Sequence, residues 1–321
     1  AAVLVRRHFR PRSLRGEVVL ITGGSRGLGL ALAEAFGRRG AKLAIVARDP
    51  WELDRAREML GRRGVADVVT IPADLRKREE AEQAVAKATA HFGRVDVLVN
   101  NAGAITVGPV ESQTAQDFRD VMDSNFFTGV HCALAAAPQM LARRSGTIVN
   151  IASVGGKVAV PHLLPYSASK FAVVGFSEGL GAELRQKGVH VLTVCPGLMR
   201  TGSHGAALFS GDKGREYGWF SLAANLPGIS TSAACAARRI VRAVECRETE
   251  IAITLQAVAA SRLAHLAPEI VVRAMSMVNR VLPGASAGDD RPQRGTDVRG
   301  REWLPVRTLG KAAARRYNQS G

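Results

Sequence analysis

The chain is short of aromatic residues, at 5% Phe, Trp and Tyr, and of cysteine, with four in 321 residues. A core must then be built mainly from Ala, Val, Leu and Ile, as in sheets covered on both faces by helices, so the composition favours an α/β protein. Cys132, Cys195, Cys235 and Cys246 share no metal-ligand spacing and no C-x-x-C pair. That argues against a disulfide framework or a metal site and for reduced thiols in a reducing compartment. No uninterrupted apolar run reaches the roughly 18 to 20 residues of a spanning helix, and residues 1–16 lack the apolar stretch of a signal peptide. The expectation is a soluble, cytoplasmic protein, peripheral to a membrane at most.

Acidic residues are scarce too: 28 Asp and Glu stand against 44 Lys and Arg, for a net charge of +16. The excess gathers at the two ends, in Arg6, Arg7, Arg10, Arg12 and Arg15, and in the run from Arg291 to Arg316. Such flanks suit solvated tails, an acidic membrane surface or nucleic acid. No basic stripe with interleaved aromatics supports the last, and no nucleic-acid partner is expected.

What is present is alternation. Apolar, β-branched runs recur at Val18–Thr22, Leu43–Ala47, Val68–Ile71, Val95–Asn100, Thr147–Ile151, Val189–Val194 and Ile251–Thr254. Between them, residues 28–39, 51–63, 76–92, 114–143, 166–187 and 231–247 carry apolar positions three and four apart. Strands joined by crossover helices imply a doubly wound parallel sheet with helices on both faces. Two stretches break the rhythm. Residues 202–228, with Phe209, Tyr217, Trp219 and Phe220, are too long for a bare connection and suggest a flap. Residues 255–282 suggest two amphipathic helices broken near Pro268, and the chain beyond Pro283 reads as irregular and basic.

The first strand runs into Thr22-Gly23-Gly24-Ser25-Arg26-Gly27-Leu28-Gly29 and then a helix. Glycines there allow a tight turn and let a pyrophosphate approach the N–H groups at the helix N-terminus. The second strand ends at Ala47-Arg48. An acid at that point would bind a ribose 2′-OH and repel a 2′-phosphate; Ala47 and Arg48 do the reverse, and Arg26 can converge on the same phosphate. Tyr166 and Lys170 lie four apart in a helical segment, on one face, where an ammonium can stabilise a phenolate.

With these residues together, the sequence resembles the short-chain dehydrogenase/reductase family over roughly residues 15–255. The resemblance rests on Thr22 to Gly29, Asp74-Leu75, Asn100-Asn101-Ala102-Gly103, Asn125, Ser153 thirteen before Tyr166, Tyr166-Ser167-Ala168-Ser169-Lys170, and Pro196-Gly197 through Thr201. It implies a Rossmann-like fold and a catalytic tetrad of Asn125, Ser153, Tyr166 and Lys170. It further implies a cofactor site of Gly23, Ser25, Arg26, Gly27, Leu28, Gly29, Arg48, Asp74, Leu75, Asn101, Ala102, Gly103, Tyr166, Lys170, Pro196, Gly197 and Thr201. The cofactor is expected to be NADP(H) in preference to NAD(H). Ser153 would hold a substrate carbonyl, Tyr166 would exchange the proton, Lys170 would act on Tyr166 and the ribose, and Asn125 would anchor a water.

The chain then divides into a basic flank (1–15), a Rossmann-type catalytic domain (16–254) with its flap (202–228), an amphipathic helical extension (255–282) and an irregular basic tail (283–321). Val154, Val158, Val160, Leu163, Leu164, Leu208, Phe209, Trp219 and Phe220 suggest an apolar pocket for a lipophilic ketone, aldehyde or alcohol, although the flap aromatics could equally serve packing. His162 and His204 read as rim residues. The resemblance also suggests a homodimer or homotetramer through the 114–143 and 166–187 helices, whose Ala133, Ala135, Ala136 and Ala137 permit close approach. Two other readings stand beside this one: a cofactor-binding protein that associates with membranes through its basic ends and 255–282, and an epimerase or dehydratase acting on an activated sugar.

Overall fold

The computed structural model describes residues 11–226, 230–285, 291–298 and 312–319. Its strands are β1 (Val18–Thr22), β2 (Lys42–Ala47), β3 (Val68–Pro72), β4 (Val97–Asn100), β5 (Thr106–Val107), β6 (Gly146–Ile151), β7 (Val189–Cys195), β8 (Met199–Arg200), β9 (Leu208–Phe209), β10 (Thr231–Ser232), β11 (Glu250–Ala252) and β12 (Gln293–Arg294). The helices are α1 (Gly27–Gly37), α2 (Pro50–Arg62), α3 (Arg78–Phe92), α4 (Ala115–Met122), α5 (Thr128–Ala142), α6 (Leu164–Leu184), α7 (Lys213–Asn225), α8 (Ala233–Glu245), α9 (Leu255–Leu266) and α10 (Pro268–Asn279).

Seven strands form one sheet in the order β11-β7-β6-β4-β1-β2-β3, with every pairing parallel. Side chains alternate across it, as a period of two requires. Val19, Ile21, Leu43 and Ile45 join the core under α1, α2 and α8, while Leu20, Ala44 and Val46 join the core under α3, α5 and α6. Both faces are therefore dry, which is why these strands read as continuous apolar runs. The chain leaves β3 at one edge and resumes at β4 on the other side of β1. That reversal opens a crevice beyond the carboxyl ends of β1 and β4, where doubly wound sheets take their ligands.

The fold differs from the sequence expectation in several local ways. The helix expected over 114–143 is interrupted by a π-helical turn at Asp123–Phe127, which carries Asn125. Ala133 and Ala136 of α5 pack against the sheet and not toward a second subunit. Within the 202–228 flap, residues 213–225 form α7, and Phe209, Tyr217 and Phe220 form a small core with Val107 and Leu163. In the segment read as irregular, β12 pairs antiparallel with β9 and residues 312–316 are helical. In the segment read as a basic flank, Leu14 is buried in the main core, and the Arg12 guanidinium reaches Glu17 at 2.8 Å and Thr147 at 3.2 Å. Burial holds the Arg12 pKa below its ordinary value. Residues 1–10, and with them Arg6, Arg7 and Arg10, lie outside the described residues.

Candidate active site

The glycine turn between β1 and α1 is pinned from below. The Thr22 hydroxyl accepts the N–H groups of Asn101 and Ala102, both at 2.9 Å, and the Asn101 amide returns bonds to the carbonyls of Thr22 (3.0 Å) and Gly23 (3.2 Å). Two adjacent strand ends are thereby locked together. Gly23 and Gly27 take positive φ, +61° and +57°, and a Cβ on Gly29 would collide with the Gly23 carbonyl. Among the described residues, the N–H groups of Leu28 and Gly29 have no protein acceptor, whereas that of Leu30 reaches Arg26 O at 3.2 Å. Open donors at a helix N-terminus fit an anionic phosphate.

Arg26 and Ser25 converge on one acid that sequence reasoning missed. Arg26 reaches Glu52 Oε1 at 3.0 Å, and the Ser25 hydroxyl donates to Glu52 Oε2 at 2.9 Å. Glu52 lies in the first turn of α2, a helix started by Pro50 and capped by Asp49. An acid is favoured there by the helix dipole, so the sequence pattern explains its position without revealing its partners. Arg48 is solvent-exposed at the end of β2 and lowers the pKa of nearby Asp74. The Asp74 carboxylate is gripped by the Arg76 guanidinium, the larger cause of that depression. Leu75 is buried, and its carbonyl meets His131 Nδ1 at 3.1 Å.

The four tetrad positions are drawn together at the carboxyl ends of β4 and β6. Asn125 is buried in its π turn; its Oδ1 accepts the Ala104 N–H (2.6 Å), while Nδ2 donates to Ala104 O (3.0 Å) and Ser169 Oγ (2.9 Å). The side chain is therefore occupied in tying the β4 loop to α6, and any water anchored by Asn125 must use its backbone. Gly103 has to be small here, since a Cβ would lie 2.8 Å from Asn125 Oδ1 and 3.7 Å from Lys170 Nζ. Ser153 follows β6 and accepts the Gly155 N–H at 3.0 Å. A Cβ on Gly155 would lie 3.4 Å from both Ser153 Oγ and Tyr166 Cε1, so the serine and the tyrosine face one small space.

Burial pushes the Tyr166 phenol above its ordinary pKa, and a hydrogen bond with Ser153 opposes the rise. Lys170 is buried, donates to Ile151 O at 2.9 Å, and has its Nζ 5.7 Å from the Tyr166 ring centroid. Burial pulls the Lys170 pKa down to about 8. Pro196 O accepts the Val154 N–H at 2.8 Å, tying the loop after β7 to the Ser153 turn. Gly197 is hemmed in by Thr254, and buried Thr201 approaches Gly27 across the crevice.

His162 and His204 are both buried, which corrects their reading as rim residues. His162 Nδ1 meets Glu216 Oε1 of α7 at 2.7 Å, and Trp219 Nε1 donates to Glu216 Oε2 at 2.6 Å. This network fastens α7 to the loop before α6. Beside it lies a cavity of ≈ 430 Å³ lined by Val110, Val160, His162, Leu164, Val271 and Met275 among others. Of the nine residues expected to line a substrate pocket, Val160 and Leu164 line this cavity, whereas the other seven, Ser153 and Tyr166 do not. Val271 and Met275 belong to α10, whose contribution the sequence did not reveal.

Comparison with known proteins gives the family. A short chain dehydrogenase family profile matches residues 17–208. The chain belongs to the short-chain dehydrogenase/reductase family. It is 42% identical over 189 residues to a putative ketoacyl reductase of Streptomyces coelicolor, covering 58% of this chain and 71% of that one. It is 35% identical to a dehydrogenase/reductase SDR family protein 7-like of Drosophila melanogaster, covering 80% of this chain and 78% of that one. A short-chain dehydrogenase from Streptomyces avermitilis superposes with a TM-score of 0.71 at 32% identity, over 82% of this chain and 97% of that one. A Burkholderia phymatum family member solved in complex with NAD gives 0.72 at 28% identity, over 81% and 96% of the two chains. This short-chain dehydrogenase/reductase is thus an NAD(P)-dependent oxidoreductase with a seven-stranded Rossmann-like sheet and a nucleotide-binding crevice.

Proposed function

We propose that the protein interconverts a lipophilic ketone or aldehyde and the corresponding alcohol, with NADP(H) as its preferred cofactor. The observation that carries the reading is the convergence of Ser153, Tyr166 and Lys170 near a glycine turn whose Leu28 and Gly29 N–H groups have no acceptor among the described residues. The bound nicotinamide would supply or accept hydride. Its site is the turn from Gly23 to Gly29, with Ser25, Arg26, Leu28, Arg48, Asp74, Leu75, Asn101, Ala102, Gly103, Pro196, Gly197 and Thr201 around it. Ser153 polarises the substrate carbonyl by hydrogen bonding, and Tyr166 gives its proton to the oxygen as negative charge develops. Lys170 has two tasks, favouring the phenolate that Tyr166 leaves behind and donating to a ribose hydroxyl. Asn125 fixes the Ala104 loop against α6, which keeps Lys170 and Gly103 in register.

The preference for a 2′-phosphate rests on Arg48, because Arg26 is already engaged by Glu52. Arg48→Ala should weaken NADPH by about 1.5 to 3 kcal/mol, the scale of a charge-assisted contact, and leave NADH unchanged. Fluorescence titration with both cofactors checks this. Equal affinity of the unaltered protein for NADH and NADPH would contradict the preference.

A homo-oligomer is supported by Leu134 on α5 and Phe171 on α6, large apolar side chains that are 62% and 45% exposed. Such faces are expected at a subunit interface. Light scattering at micromolar concentration should give a dimer or tetramer, and a monomer would count against it. The second reading, contact with an acidic membrane, is favoured by α9 and α10. No residue of α10 is buried, and Leu266, Ile270, Val272 and Met277 are exposed on a chain with net charge +16. Among the described residues no helix is long and apolar enough to cross a membrane. Sedimentation with anionic vesicles should remove the protein from solution at low salt. Equal recovery with neutral and anionic vesicles would sink the electrostatic part of this reading.

A further inference from the structure

The segment 312–319 lies against the glycine turn. Tyr317 is its anchor, 3% exposed and packed into the main core. The Tyr317 carbonyl accepts the Gly27 N–H at 2.8 Å, and Asn318 Nδ2 donates to Ser25 O and Glu52 O, both at 3.0 Å. Arg63 reaches Arg316 O at 2.7 Å, and Ala314 packs on Gly202, which has φ +81° and no room for a side chain. Asn318 itself takes φ +55°, a left-handed conformation that asparagine tolerates better than most residues. The chain thereby turns over the N-terminus of α1. Gln319 then enters the gap between Gly27 and Thr201: a Cβ built on Gly27 would lie 2.7 Å from Gln319 Nε2 and 4.0 Å from Thr201 Cβ.

The division of donors at this helix N-terminus points to a purpose. Tyr317 takes the Gly27 N–H, yet the N–H groups of Leu28 and Gly29 have no protein acceptor among the described residues. The segment therefore stands beside a phosphate position without filling its open donors. It also brings a neutral amide donor, Gln319 Nε2, against Gly27 of the turn, with Arg315 and Arg316 exposed in the same segment. Donors and positive charge around a pyrophosphate act together.

We propose that residues 312–319 form the outer wall of the cofactor site, with the Gln319 side-chain amide as a ligand for the pyrophosphate of the dinucleotide and Tyr317 and Asn318 as its positioning residues. The proposal rests on the cofactor reading given above and extends it to a segment outside the family match at 17–208. The pyrophosphate is common to both nicotinamide cofactors, so loss of this contact must weaken NADH and NADPH by the same factor. A change at Arg48 would not do that.

The test is fluorescence titration of the full chain and of Gln319→Ala and Asn318→Ala with NADH and NADPH, together with hydrogen exchange over 312–319. Gln319→Ala should raise both dissociation constants equally, by about 10- to 100-fold for one hydrogen bond to a charged group. Asn318→Ala should do at least as much. Added cofactor should slow exchange in 312–319. Among the described residues Gln319 has no side-chain hydrogen bond, so an unaltered melting temperature keeps that variant interpretable. Affinities unchanged or tightened in both variants would overturn the wall while leaving the cofactor reading intact. A full chain that binds neither dinucleotide would overturn the cofactor reading, and the wall with it.

Discussion

Tyr166→Phe is expected to lower carbonyl reduction by about 10² to 10⁴, the usual effect of losing a positioned general acid, while cofactor affinity stays nearly unchanged. Two features of the site lead there. Burial keeps the phenol protonated at neutral pH, which is the form a proton donor needs, and the Ser153 hydroxyl and Lys170 ammonium stand where they can stabilise the phenolate after transfer. The ring packs beside the small core of Val107, Leu163, Phe209 and Phe220. Phenylalanine preserves that packing and deletes only the hydroxyl. Stopped-flow or steady-state reduction of a good substrate measures the loss. Retention of more than about a tenth of the rate would remove Tyr166 from its assigned role.

Lys170→Met should lose turnover and gain stability, a pairing that follows from how the lysine is held. Its ammonium is buried with Ile151 O as its acceptor, and burial lowers its pKa to about 8 from 10.5. Below pH 8 both folded and unfolded chains hold the proton, so the folded chain bears the full desolvation penalty. Between about 8 and 10.5 the unfolded chain binds more protons than the folded one, and native stability therefore rises with pH. The gap sets an upper bound of roughly 3 kcal/mol. Methionine has a similar shape without the charge, so the variant should be about 1 to 3 kcal/mol more stable than the parent at pH 7. That advantage should shrink toward pH 10.5. Denaturant unfolding at several pH values measures it, and a variant less stable at pH 7 would show that the ammonium is held by more than Ile151. NADPH should also bind more weakly, in contrast to Tyr166→Phe, because Lys170 is assigned to the ribose as well.

The sheet was legible because its strands are buried on both faces. Val18–Thr22 and Val189–Val194 can be read as strands from apolar continuity alone, and the observed β1 and β7 match them to within one residue. Helical periodicity could not reveal the π turn at Asp123–Phe127, since one extra residue per turn barely disturbs an apolar stripe. Helix α7 was missed for a different reason. Its buried face is one stripe, Glu216, Tyr217, Phe220, Ser221, Ala224 and Asn225, but three of those residues are polar while Leu222 is exposed, so no apolar period shows in the sequence.

At the candidate site, Tyr166 and Lys170 announce themselves by spacing on one helix, as does the glycine turn by its place between strand and helix. Glu52 does not, because it looks like an ordinary first-turn acid until the fold brings it to Ser25 and Arg26. Tyr317 and Asn318 lie almost 300 residues from Ser25 in a basic, glycine-containing stretch with no periodic signal. Only the folded chain joins them.

Absorbance of the reduced nicotinamide tests the proposed carbonyl reduction directly. The full chain is mixed with NADPH and a panel of ketones and aldehydes graded in apolar bulk. The proposed carbonyl chemistry predicts that NADPH is consumed, faster for the more apolar substrates, and that Tyr166→Phe abolishes the signal. Consumption that is absent across the panel, or that survives in Tyr166→Phe, would contradict it.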